Sequence, residues 1–327
     1  MKAVQIVNPG ASSKLKIGDV ETPQPAEHQI LVKVKATALN RADLLQRMGK
    51  YPPPEGSSAI MGLEMAGVVE KIGKGVSRWK KGDAVFGLLP GGGYAEYVLI
   101  HERMAMKKPG NLSFKQAAAI PETFLTAYQA LCWLGHLKNN DTVLIHAGAS
   151  GVGTSAIQIA HRYNARIITT AGAEKKLEVC RKLGARLALN YKEGPFAPRV
   201  EEHFGQDAVN LIIDFVGKPY WEQNINIMAM DARLIYLALL GGSKVQEVNL
   251  GTILRKRLTV RGSTLRSREL TYKIRLTEEF AEFALDLFER GSMEPFIDSV
   301  YDWKEVEDAH RRMSENKNIG KIVLTGM

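Results

Sequence analysis

The stretch from Thr142 to Ala160 constrains this chain more than any other. An apolar, β-branched run, Thr142-Val143-Leu144-Ile145-His146, passes straight into Ala147-Gly148-Ala149-Ser150-Gly151-Val152-Gly153. A helical pattern, Thr154-Ser155-Ala156-Ile157-Gln158-Ile159-Ala160, follows at once. Strand, glycine-rich turn and helix in that order let the backbone approach a pyrophosphate. The free N–H groups and positive dipole end of the helix then hold it. The glycines stand at 148, 151 and 153, so the spacing departs from G-x-G-x-x-G, and the strand–turn–helix context carries the reading.

The same alternation continues around that loop. Further apolar strands are read at 166–170, 209–214 and 233–237, and helices at 152–163, 175–183 and 220–229. Near-continuous apolar runs suit strands covered on both faces, so this part predicts a parallel, doubly wound sheet. Before it, the first ~115 residues read as short alternating strands broken by Tyr51-Pro52-Pro53-Pro54 and Leu89-Pro90-Gly91-Gly92-Gly93, a pattern that suits a small, partly open β-barrel. After it come an amphipathic helix at 277–290, a short helix at 304–314 and a closing strand at 320–325. The parallel sheet is complete without this tail, which is therefore assigned to the first domain. The expected division is 1–118 with 265–327, and 119–264 inserted between them; 327 residues suit two domains.

The second strand of the doubly wound part bears on the nucleotide. A site for NADH usually closes that strand with Asp or Glu for the ribose 2′-hydroxyl. Here it closes Thr169-Thr170-Ala171-Gly172-Ala173, and Lys175-Lys176 follow. A 2′-phosphate needs a cation and no acid, so NADPH is predicted, with Glu174 as the one dissenting charge. The net charge of +9 agrees with an anionic ligand. With 45% hydrophobic and 24% charged residues the chain is neither disordered nor fibrous. No apolar run reaches the ~18 residues of a membrane span. Met1–Val7 alternates like a strand and meets Asn8-Pro9-Gly10 too soon for a leader, and Cys132 and Cys180 stand far apart. A reducing, cytoplasmic setting is the expectation.

Five further stretches complete a pattern: Ala38-Leu39-Asn40-Arg41-Ala42-Asp43, Gly62-Leu63-Glu64-Met65-Ala66-Gly67, Leu89–Gly93, His146–Gly153 and Leu265-Arg266-Ser267-Arg268. With them the chain resembles, over essentially its whole length, the zinc-free quinone oxidoreductases of the medium-chain dehydrogenase/reductase superfamily, related to zeta-crystallin. Ala118–Glu122 and Asn316–Val323 look closest to the stress-inducible NADPH quinone oxidoreductase branch. The resemblance implies a GroES-like barrel domain, a Rossmann domain and a cleft between them. Zinc-dependent relatives use Cys, His and Glu at the metal. Here Asn40 stands in the cysteine's place and Leu63 in the histidine's, beside Glu64, and no cysteine precedes Cys132. The family's zinc site lacks its ligands, so no metal is expected.

Roles follow from the resemblance, residue by residue. Asn40 holds the nicotinamide ribose or lines the substrate cleft. Tyr51 donates a proton or hydrogen bond to the substrate. Thr126 contacts the nicotinamide. Ser150, Gly151 and Val152 meet the pyrophosphate, while Gly172, Lys176 and Tyr191 surround the adenosine phosphate. Leu239, Leu240 and Gly241 form the carboxamide wall, and Leu265, Arg266, Ser267 and Asn316 return to the cofactor. Glu64 and His146 read as satisfied buried polar groups.

The expected activity is NADPH-dependent reduction of quinones, which are already electrophilic and need no metal to accept hydride. Reduction of α,β-unsaturated carbonyls is the alternative enzyme reading. RNA binding, known among zeta-crystallin relatives, is possible but not favoured, because the phosphate loop is intact and no RNA motif is present. A homodimer is expected through an edge strand at 258–262.

Overall fold

The computed structural model describes residues Met1–Met327. It divides into two compact units, Met1–Leu125 with Leu265–Met327, and Thr126–Thr264. The seam falls after Leu125 rather than after Ala118. The reason is local: the amide of Glu122 donates to the Glu64 carboxylate at 2.8 Å, which ties the start of the linking helix to the first unit.

The first unit opens with an antiparallel pair, β1 (Lys2–Val7) and β2 (Lys14–Asp19). Next come β3 (Gln29–Ala38), α1 (Arg41–Arg47), β4 (Glu64–Ile72), β5 (Ala84–Leu88), β6 (Tyr97–His101) and β7 (Ala105–Lys107). β3 shows why the sequence extends here: Val34 and Ala36 are buried, while Lys33 and Lys35 between them face water. A short helix, α2 (Phe114–Ala118), is capped by the Ser113 hydroxyl. It is followed by α3 (Pro121–Tyr128).

The second unit is one six-stranded sheet. In chain order it runs β8 (Thr142–Ile145), α4 (Gly151–Arg162), β9 (Arg166–Ala171), α5 (Glu174–Lys182), β10 (Leu187–Asn190), α6 (Ala197–Phe204), β11 (Val209–Asp214), α7 (Trp221–Ile227), β12 (Met228–Tyr236), α8 (Leu250–Lys256) and β13 (Thr259–Gly262). The spatial order is β10-β9-β8-β11-β12-β13, with every pair parallel. Counted within the unit this is 3-2-1-4-5-6, which places the loop after β8 at the point where strand order reverses.

Two details differ from the sequence reading. α6 and α8 are additional helices, and β12 begins at Met228, directly after α7. Lys256 explains the abrupt helix end. Its buried ammonium donates to the carbonyls of Asn226 (2.8 Å) and Met228 (2.9 Å) and to Asp207 (2.6 Å), satisfying oxygens a helix end leaves open.

The chain then rejoins the first unit with α9 (Leu270–Glu289), β14 (Ile297–Asp302), α10 (Val306–Ser314) and β15 (Lys321–Thr325). β15 lies parallel to β14 and antiparallel to β3, giving the order β14-β15-β3-β4-β5-β7, with β6 also on β3. Tyr94, Leu39, Met61, Trp303, Ile322 and Leu324 pack into one apolar cluster. No helix is long and apolar enough to cross a membrane.

Candidate functional site

In the second unit the loop after β8 is shaped by contacts that leave no room for side chains. A Cβ on Gly153 would lie 2.4 Å from the Ala147 carbonyl oxygen, and one on Gly148 would lie 1.7 Å from the Thr169 hydroxyl. Ala147 itself adopts φ +48°, which turns the chain sharply. Ser150 caps α4, its hydroxyl accepting from the Gly153 amide at 3.0 Å. At a helix start the amides of Gly151 and Val152 have no intrahelical acceptor. The three expected pyrophosphate contacts therefore form one helix N-terminus, suited to an anion.

The residues expected around the adenosine phosphate lie at and beyond the end of β9. A Cβ on Gly172 would lie 2.6 Å from the Tyr191 hydroxyl, so the exposed phenol leans over the glycine. Lys176 is half-buried in the first turn of α5, whereas Lys175 is exposed. Glu174, the dissenting charge, is paired with Arg181 at 2.5 Å.

Beneath these loops the strand ends are joined by buried polar groups. His146 Nδ1 and Nε2 meet the Thr170 hydroxyl (2.9 Å) and the Asn224 carbonyl oxygen (2.8 Å). Asn224 donates in turn to Asp214 at 2.8 Å, and the other Asp214 oxygen accepts from the amides of Val216 and Gly217. Burial holds His146 below its ordinary pKa, and so neutral. The chain then runs alongside 214–218. Leu240 donates to Phe215 and Gly241 to Val216, which leaves the Leu239 and Leu240 side chains exposed at the strand ends. Thr126 contributes a buried hydroxyl with no hydrogen-bond partner. A glycine cradle, an open helix start, a half-buried lysine and an orphaned hydroxyl fit a dinucleotide.

In the first unit Tyr51 and Arg266 come together. The Arg266 guanidinium lies 5.2 Å above the Tyr51 ring. Its Nε donates to the Pro90 carbonyl (2.8 Å) and one terminal nitrogen to Gln46 (2.9 Å), while the other, Nη1, is buried without a partner. Arg266 is 7% exposed, which holds that donor away from bulk solvent. Burial, then the nearby Glu122, push the Tyr51 phenol above its ordinary pKa, and Arg266 opposes them. Burial, Glu64 and Asp43 push the Glu122 carboxyl up to about 8, against Lys321 and Arg266. Leu265 is buried and Ser267 exposed, and the Asn316 side-chain oxygen accepts from Arg41.

Asn40 lies in a different set of contacts. Its side-chain nitrogen donates to Glu64 at 2.8 Å, and its oxygen accepts from Lys321 at 2.7 Å. The backbone amide of Asn40 donates to Asp43 at 2.7 Å, and Gly62 and Tyr94 donate to the same carboxylate. Zinc does not fit here. No group of three or more His, Cys, Asp or Glu side chains is arranged to hold a metal, and the ammonium of Lys321 sits 2.6 Å from the Glu64 carboxylate. Sequence reasoning missed Lys321, Glu122 and Gln46. Glu122 and Lys321 each left a signal, since they stand in the family-like runs 118–122 and 316–323, whereas Gln46 left none.

The chain matches the alcohol dehydrogenase GroES-like domain over residues 26–110 and the zinc-binding dehydrogenase domain over 151–290. It is 33% identical to a quinone oxidoreductase of Lama guanicoe, over 99% of this chain and 97% of that one. Among solved structures it is similar to Escherichia coli quinone oxidoreductase complexed with NADPH (29% identity, 99% of each chain, TM-score 0.87). It is also similar to CurK enoyl reductase (25% identity, 99% and 98% of the chains, TM-score 0.83).

Proposed function

We propose that this chain, which belongs to the quinone oxidoreductases of the medium-chain dehydrogenase/reductase superfamily, reduces quinones with NADPH and needs no zinc to do so. One observation carries the cofactor choice. β9 ends without a carboxylate, Lys176 is half-buried just beyond it, and Glu174 at the start of the same helix is paired with Arg181. When bound, NADPH supplies hydride. The chain's own task is to hold the dinucleotide and to stabilise charge on the substrate oxygen. The unpartnered Nη1 of Arg266 is a buried donor suited to that oxygen. The Tyr51 phenol beneath it keeps its proton at neutral pH and can share the same oxygen. Glu122, also protonated near neutrality, is a second proton store on the same unit.

The similarity to an enoyl reductase supports a second reading, reduction of α,β-unsaturated carbonyls, which asks the same of Arg266 and Tyr51. Steady-state rates on ortho-quinones beside 2-alkenals separate the two, and faster turnover of the alkenals overturns the first. For the cofactor, NADPH and NADH are titrated against wild type and Lys176→Ala by nicotinamide fluorescence. The variant is expected to lose about tenfold or more in NADPH affinity, equivalent to about 1.4 kcal/mol, with NADH little changed. An equal loss for both refutes the assignment. We also propose a homodimer through β13, an edge strand with all four residues exposed beside exposed Leu250 and Leu254.

A further inference from the structure

Beside Asn40 lies a buried ammonium that the reading above leaves unused. Lys321 is 3% exposed and Glu64 0%. Lys321 Nζ donates to the Leu39 carbonyl at 2.6 Å, to Asn40 Oδ1 at 2.7 Å and to Glu64 Oε1 at 2.6 Å. Three N–H bonds meet three oxygens, so the group is saturated. The other Glu64 oxygen accepts from the Glu122 amide, and Asp43 and Glu122 are the further acids whose charge reaches this place. A lone carboxylate here would be buried and uncompensated.

We propose that Lys321 is a built-in cation, tethered by its own side chain in a seat made of Leu39, Asn40 and Glu64, and that it positions Asn40. Its N–H groups fix the Asn40 amide with oxygen toward β15 and nitrogen toward Glu64; the reverse orientation would set an NH₂ against the ammonium. The positioning half rests on the reading of Asn40 as a cofactor-side residue. The cation seat does not.

The seat is tested on protein without cofactor. Lys321→Ala is expected to lower the thermal midpoint by about 10 °C, through the unpaired Glu64. Methylammonium or ethylammonium at about 50 mM restores half of that loss or more, by binding the folded state. Tetramethylammonium, a cation without N–H groups, does not restore it at the same ionic strength. Equal rescue by all three ions, or no loss of midpoint, overturns the seat. Lys321→Met combined with Glu64→Gln removes both charges and regains the midpoint, which keeps the test open if Lys321→Ala fails to fold. That pair is expected to bind NADPH more weakly, by the same factor as Asn40→Ala. Wild-type NADPH affinity in either variant overturns the positioning role. Failure of quinone turnover in wild type refutes the proposed activity instead, and leaves the midpoint experiment standing.

Discussion

Asp43 offers a quantitative check on the interior of the first unit. It is 1% exposed and accepts from the Asn40 and Gly62 amides and the Tyr94 hydroxyl. Burial outweighs these donors and the Lys321 charge, and raises the carboxyl from its ordinary 3.8 to about 6. The native state therefore keeps this proton up to about pH 6, while the unfolded chain releases it near 3.8. Between those values the unfolded state binds fewer protons, so stability falls as pH rises. The contribution is complete below the lower value and lost above the higher one. At ~1.4 kcal/mol per pH unit the difference is about 3 kcal/mol. Asp43→Asn removes this slope whatever its effect on absolute stability. The assay is urea unfolding in steps from acid to neutral pH, read by fluorine NMR on protein labelled with 5-fluorotryptophan. Trp303 reports on the cluster that contains Tyr94. The stability difference between wild type and variant should shift by about 3 kcal/mol across the window, because other groups cancel. Parallel curves would refute the reasoning.

Two further outcomes concern the second unit. Gly153→Ala sets a methyl against the backbone oxygens of Ala147 and Gly148, which cannot move as a side chain would. The start of α4 must lift, at a cost of about 1–3 kcal/mol, and NADPH affinity is expected to fall about tenfold or more; an unchanged fluorescence titration rejects the cradle. Val260→Lys places charges on the exposed edge of β13 and is expected to convert the proposed dimer to a monomer in light scattering, with the circular dichroism unchanged. A monomeric wild type, or a variant that stays dimeric, removes that interface.

The second unit was legible because its strands are buried on both faces, so β8, β9 and β11 read as unbroken apolar runs next to glycine and a capping serine. The edges of that unit were less so. Pro198 and a charged surface hid α6, and the stop after Ile227 depends on Lys256, whose target carbonyls lie far back in the chain. α9 begins at Leu270, ahead of the expected Thr277, with Ile274 and Leu276 buried in its first two turns. The first unit shows the larger gap. Asn40 and Glu64 drew attention as places where metal ligands were missing, and nothing local signalled what holds them instead. Lys321 lies 257 positions from Glu64, inside an apolar strand that reads as ordinary sheet. Long-range pairing of this kind is decided by topology, which periodicity does not report. Tyr51 and Arg266 were each named on their own, but their stacking, and the spare nitrogen it leaves, belong to the tertiary structure.

The discontinuity of the first unit has a consequence for synthesis. β15 lies between β14 and β3, and it is translated after every residue of the second unit. A nascent chain emerging from the ribosome can assemble the parallel sheet while the barrel still lacks an interior strand. Until that strand arrives, Glu64 has no counterion, and premature closure around it is disfavoured electrostatically. Vectorial synthesis therefore completes the Glu64–Lys321 pair of the first unit last.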